Sequence, residues 1–129
     1  EAAMGLCMLD EMKVIGSARE KVFEVYKNNL SKEVLFQRMN KNSTLNHSYF
    51  PIVLKDEEQL LNVKKALNEK NVFPRRYFYP SLDTLEYINP KQFCKISRDI
   101  ASRILCLPMY AELDSADQKE IIKILKTCI

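Results

Sequence analysis

Helical and strand-like periods take turns along this chain, and that alternation limits its possible folds more than any other feature. Apolar residues at Leu6, Leu9, Val14, Ile15, Ala18, Val22, Val25 and Tyr26 recur close to the 3.6-residue period, which predicts one long helix from residue 1 to about 29. Gly16-Ser17 is its expected weak point and Asn28-Asn29 its expected stop. From Val34 the pattern shortens. Residues 34–39 and 48–54 are brief runs rich in β-branched and aromatic side chains, and the turn-rich stretch 40–46 joins them, so a long-looped hairpin is expected. Pro51 has no N–H to give a ladder, which places its strand at a sheet edge or on a bulge.

The helical period returns after Asp56, which caps a helix with Gln59 three residues on. Leu60, Leu61, Val63, Ala66 and Leu67 form its expected buried face, and it ends near Lys70-Asn71. Residues 72–77 predict a strand that begins buried at Val72-Phe73 and runs into a turn at Pro80. Leu85, Tyr87 and Ile88 fall in a loop or short helix. Residues 93–101 suit a short helix, and residues 103–107 a strand stopped by Pro108. Ser115 is the expected cap of the last helix, with Gln118 at the matching position and Ile121, Ile122, Ile124 and Leu125 as its apolar stripe. The sum is an α/β or α+β fold, a small sheet packed under helices.

Several function classes drop out. With 129 residues, 47% hydrophobic and 29% charged, the chain is one globular domain rather than a disordered segment. A net charge of +3 and no Lys/Arg run beyond two residues argue against nucleic acid as a partner. Cys7, Cys94, Cys106 and Cys128 lie far apart and His47 is the single histidine, so no zinc site is recognisable. The cysteines sit in apolar segments, which suits buried thiols of the cytoplasm. No stretch nears the roughly 18 apolar residues of a membrane span. The chain starts in full helical stride at Glu1-Ala2-Ala3-Met4-Gly5-Leu6, which predicts a piece of something longer, cut within a helix.

The densest chemistry is Arg75-Arg76-Tyr77-Phe78-Tyr79-Pro80-Ser81-Leu82, with two guanidinium groups and three aromatic rings in eight residues. Arg offers a planar fork of donors and Tyr a flat face with a hydroxyl at its rim, a combination that grips flat, anionic ligands. Such pairs also occur simply as a solvated Arg-Arg face beside core aromatics. If residues 75–77 stay extended, Arg75 and Tyr77 share one face and Arg76 takes the other. Arg76 and Tyr77 reach one ligand only if the chain bends before Pro80.

Four stretches together resemble the C-terminal part of DegT-type (DegT/StrS) sugar aminotransferases: residues 2–6, residues 46–52, residues 75–82 and residues 104–110, in that order. The resemblance implies pyridoxal-phosphate-dependent enzymes of the aspartate aminotransferase fold, which move an amino group from glutamate onto a nucleotide-linked keto-sugar and work as homodimers. It implies a truncated linking helix over residues 1–30 and a C-terminal small domain over 31–129, with a short, mostly antiparallel sheet. The cofactor's lysine and most of its phosphate contacts would precede this chain, so the chain alone is expected to be inactive, and no catalytic or cofactor-binding residue is assigned here. The segment matching Arg75 to Ser81 would lie beside the active site. Many relatives have His-Tyr where this chain has Arg76-Tyr77, a change of donor geometry that bears on sugar preference. Arg76 would bind a diphosphate, Tyr77 would stack on or hydrogen-bond the sugar or base, and Arg75, Ser81 and Tyr49 complete the candidate wall. His47, with no partner in view, reads as packing. A self-sufficient binding module for an anionic ligand and an aminotransferase for a cyclitol are the alternatives.

Overall fold

A computed structural model describes residues 2–90 and 92–129; Glu1, the first residue of the expected helix, lies outside them. The first helical pattern forms α1 (Ala2–Asp10) and α2 (Met12–Leu30), separated at Glu11 rather than at Gly16, which stays helical. The join is slight. Glu11 keeps φ −86° and ψ −5°, and backbone bonds from Glu11 N–H to the Cys7 carbonyl and from Ile15 N–H to the Glu11 carbonyl carry the helix across it.

The sheet is antiparallel, with β1 (Leu35–Phe36), β2 (Phe50–Val53) and β3 (Ile104–Leu107) in the order β1-β2-β3. The expectation for Pro51 is corrected: β2 is the central strand. Cys106, opposite Pro51, exchanges both backbone bonds with Arg75 on its far side (2.8 and 3.0 Å), so the Pro51 nitrogen faces the β1 side. There the two-residue β1 has already ended, and no ladder donor is missed. Residues 72–77 make only this one bridge instead of a strand, and Phe73 is exposed rather than buried.

Between β2 and β3 come α3 (Glu57–Asn68), a short 3-10 turn (Leu82–Thr84) and α4 (Lys95–Arg103); α5 (Ser115–Cys128) follows β3. Asp56 caps α3, its carboxylate accepting the Gln59 N–H at 2.8 Å, while the Gln59 side chain accepts the Lys55 N–H at 2.9 Å. Leu60, Val63 and Leu67 are buried, but Leu61, about 100° further round the helix, faces out. The cap of α5 is Asp114, not Ser115: its carboxylate accepts the Ala116 N–H at 2.7 Å and Ser115 is the first helical residue. Gln118 turns inward and donates to the Val22 carbonyl at 2.7 Å, tying α5 to α2.

One face of the sheet carries the core. Directly paired residues share a face, so Phe50 with Leu107, and Ile52 with Leu105 and Phe36, point together toward Tyr26 and Leu30 of α2, Leu60 and Val63 of α3, and Ile121 and Leu125 of α5. Phe50 sits among aromatic rings, with centroids of Tyr26 and Phe23 at 5.0 Å and Phe36 at 5.6 Å. Burying such a ring contributes about 1.5–3 kcal/mol. In contrast, α1 buries no residue and exposes Met4, Leu6, Met8 and Leu9. Among the described residues, no helix is long and apolar enough to cross a membrane. The expectation of four buried thiols is also corrected: Cys106 is buried and Cys128 half-buried, while Cys7 and Cys94 are exposed; none is in a disulfide.

Candidate functional site

The outer face of the sheet holds the chemistry. Alternation that sends Phe50 inward sends Tyr49 and Pro51 outward, and the bridge to Cys106 puts Arg75 on that same outer side. Phe73 and Tyr77, two residues either way from Arg75, join it. Together with Tyr110 they line a cleft of about 350 Å³. Tyr49 is well exposed and meets the Tyr77 ring edge-on, with centroids 5.5 Å apart and planes at 79°. The Arg75 guanidinium donates to the Tyr77 hydroxyl at 2.5 Å. That bond favours the charged form of Arg75.

The cleft wall is chemically simple: one guanidinium, three tyrosines and no carboxylate among its described residues. It suits an anionic group beside a hydroxyl-rich or flat one. Its floor residue Cys106 is no nucleophile, because burial pushes the thiol up and away from thiolate. Among the described residues no lysine lines the cleft, and those lysines are exposed save for the half-buried Lys64. These residues therefore do not fit a covalently held pyridoxal phosphate on their own. Among the described residues, no His, Cys, Asp and Glu cluster is placed to hold a metal.

Arg76 is not brought to this cleft. The chain turns only at Tyr77-Phe78, past Arg76, so Arg76 takes the opposite side from Arg75 and Tyr77. Its guanidinium donates to the Glu57 carboxylate at the start of α3 and, at 2.8 Å, to the Ser102 carbonyl near the end of α4. Its guanidinium carbon lies 3.5 Å from the centroid of the Tyr79 ring, and its Nε is buried without a partner. Pairing with Arg76 holds the Glu57 carboxyl below its ordinary range.

Ser81 is likewise turned away, buried rather than lining the cleft. Its hydroxyl bonds Asp83 at 2.5 Å and lies 2.8 Å from the Ser97 hydroxyl. Asp83 also accepts the Cys94 N–H at 3.0 Å and the Arg98 Nε at 2.7 Å. The Ser81 hydroxyl first, then the Cys94 amide, then Arg98 bring its carboxyl down to about 2. This network pins the 3-10 turn to the start of α4. His47 packs its ring against Phe23 at 5.0 Å, on a neighbouring cleft of about 310 Å³ that Tyr49 also borders. Sequence reasoning missed Tyr110, Asp83 and Arg98. Tyr110 lies two residues past Pro108, and that placement just after a strand end was the available signal.

The comparisons with known proteins agree with this architecture. The sequence profile of the DegT/DnrJ/EryC1/StrS aminotransferase family matches residues 1–126. A dTDP-4-amino-4,6-dideoxy-D-glucose transaminase of Shigella dysenteriae is 36% identical over 126 residues, which is 88% of this chain and 33% of that protein. The structure of DesI, solved in the presence of its TDP-sugar product, superposes with TM-score 0.84 at 25% identity, covering 98% of this chain and 34% of DesI. The aminotransferase TlmJ of Streptoalloteichus hindustanus has the same fold, with TM-score 0.88 at 17% identity over 98% of this chain and 35% of TlmJ. The chain thus spans about a third of the length of the relatives it matches. With five helices and a three-stranded antiparallel sheet among its described residues, this α+β chain belongs to the DegT/DnrJ/EryC1/StrS aminotransferase family.

Proposed function

We propose that this chain is the C-terminal small domain, with its linking helix, of a pyridoxal-phosphate-dependent aminotransferase that moves an amino group from glutamate to a nucleotide-linked keto-sugar. Its own contribution is a substrate wall made by Arg75, Tyr77 and Tyr49. The observation that carries this reading is the outer-face cleft, which sets one cation among tyrosines and, among the described residues, holds no lysine. Such a wall binds and orients an anionic sugar derivative, and the group that moves the amine must come from elsewhere in the protein. The relatives support the substrate class, since one is named for a dTDP-amino-sugar and another was solved with a TDP-sugar. The bare apolar side of α1 supports a larger body for it to pack on, because exposed apolar surface of that kind marks a contact face. A homodimer and a cytoplasmic setting complete the reading, the second supported by thiols that stay free.

The test uses the intact aminotransferase that carries this segment. Given glutamate and a nucleotide-linked keto-sugar, it should yield the amino-sugar nucleotide by mass spectrometry. Preferred transfer to a free cyclitol ketone would contradict the substrate assignment. The 129-residue chain alone, mixed with pyridoxal phosphate and treated with borohydride, should show no stoichiometric lysine adduct; a single fully modified lysine would overturn the division of labour.

A further inference from the structure

Arg76 and Glu57 lie outside the cleft, yet they hold the piece of chain that forms its wall. Residues 73–77 gain no strand partner beyond the bridge between Arg75 and Cys106. One bridge fixes the chain along one line and leaves it free to roll about that line. The second restraint comes from the other side. Arg76 is anchored at once to the first turn of α3 through Glu57, to the last turn of α4 through the Ser102 carbonyl, and to the Tyr79 ring stacked on it. Both helices are seated in the fold by other means, α3 by Leu60, Val63 and Leu67 and α4 by Ala101 and by the Arg103 donation to the Leu54 carbonyl at 2.7 Å. Glu57 is the only charged partner Arg76 has among the described residues.

We propose that Glu57 is a positioning residue: by holding Arg76 between the ends of α3 and α4, it keeps Arg75 and Tyr77 aimed into the cleft. This rests on the reading of that cleft as the keto-sugar wall. Glu57 touches no substrate. It acts through Arg76, and the geometry sets its charge on the side of the chain opposite the ligand. A side chain that orients a binding wall changes how tightly substrate is held before it changes the chemical step.

The experiment measures KM and kcat for the nucleotide-linked keto-sugar in the intact aminotransferase, for Glu57→Ala, Glu57→Gln and Tyr77→Ala. Hydrogen exchange at the Arg75 and Cys106 amides is followed alongside. Glu57→Ala should raise the keto-sugar KM about fivefold, with kcat within about twofold and the glutamate KM unchanged, as expected when uniform binding is lost. Glu57→Gln keeps an acceptor oxygen and should recover most of that loss. Exchange at Arg75 and Cys106 should quicken in Glu57→Ala while the α3 core amides stay protected. If Tyr77→Ala raises KM and Glu57→Ala changes neither KM nor exchange, the positioning role is overturned and the cleft reading stands. If Tyr77→Ala has no effect, the cleft reading fails and the positioning role with it. A matched loss with both substrates in Glu57→Ala marks general damage to the fold and also overturns it.

Discussion

Arg75 and Arg76 are adjacent and chemically identical, but they face opposite surroundings. Arg75 stands on the open side, bonded to a Tyr hydroxyl at the wall of a cleft with no carboxylate among its described residues. Arg76 stands on the closed side, its fork engaged with Glu57 and the Ser102 carbonyl and covered by Tyr79. The difference teaches that residue type alone does not mark a binding residue. What marks it is whether the donors remain available once the fold has used what it needs, and on that measure Arg75 is available and Arg76 is engaged.

Breaking the closed side should cost stability, and breaking the open side should not. Arg76→Ala removes a nearly buried guanidinium, its bond to the Ser102 carbonyl and its packing on Tyr79, and should destabilise by about 1–3 kcal/mol. Arg75→Ala should stay within about 0.5 kcal/mol, the usual range for an exposed site. Urea unfolding of both variants checks this, and equal losses would erase the comparison.

A smaller effect sharpens the open side. Tyr49→Ala removes the ring that abuts Tyr77 and should raise the keto-sugar KM about threefold, the scale of one aromatic contact. His47→Ala, whose ring packs on Phe23 instead, should leave that KM unchanged. Steady-state kinetics of the two variants side by side give the answer.

A separate effect is one of pH. The Asp83 carboxyl titrates near 2 in the fold and close to its ordinary value when unfolded. A carboxyl lowered by folding adds stability that is complete above its unfolded value and fades as pH falls toward the folded one. Wild type should therefore exceed Asp83→Asn by a constant margin above about pH 5, and the margin should shrink between about pH 4 and 2. Acid unfolding followed by circular dichroism tests it, and a margin that persists at pH 2 would argue against a charged Asp83.

Much of this fold was legible because local rules governed it. Asp56 with Gln59 announced the start of α3, and the β-branched and aromatic run at 48–54 announced a strand. The family resemblance rested on local stretches too, residues 2–6, 46–52, 75–82 and 104–110. What stayed hidden depended on partners distant in sequence. Pro51 suggested an edge because its missing donor is visible in sequence, but the early end of β1 beside it is not. Ser115 looked like a cap because it precedes Gln118 by three residues, whereas Gln118 was needed by Val22, nearly a hundred residues away. For the site, the alternation rule separated Arg75 and Tyr77 from Arg76, yet Glu57 and Ser102, which hold Arg76 away from the cleft, lie 19 and 26 residues off. Ser81 was drawn inward by Asp83 and Ser97 for the same reason.

The most direct test separates the two halves of the reaction in the intact aminotransferase carrying Arg75→Ala. Amino transfer from glutamate to the cofactor and from the cofactor to the keto-sugar are each timed in single-turnover experiments. If the open face is the sugar wall, the keto-sugar half slows about tenfold at subsaturating substrate, as expected for loss of a charged contact to ligand, while the glutamate half keeps its rate. Equal slowing of both halves, or slowing of neither, would contradict the account.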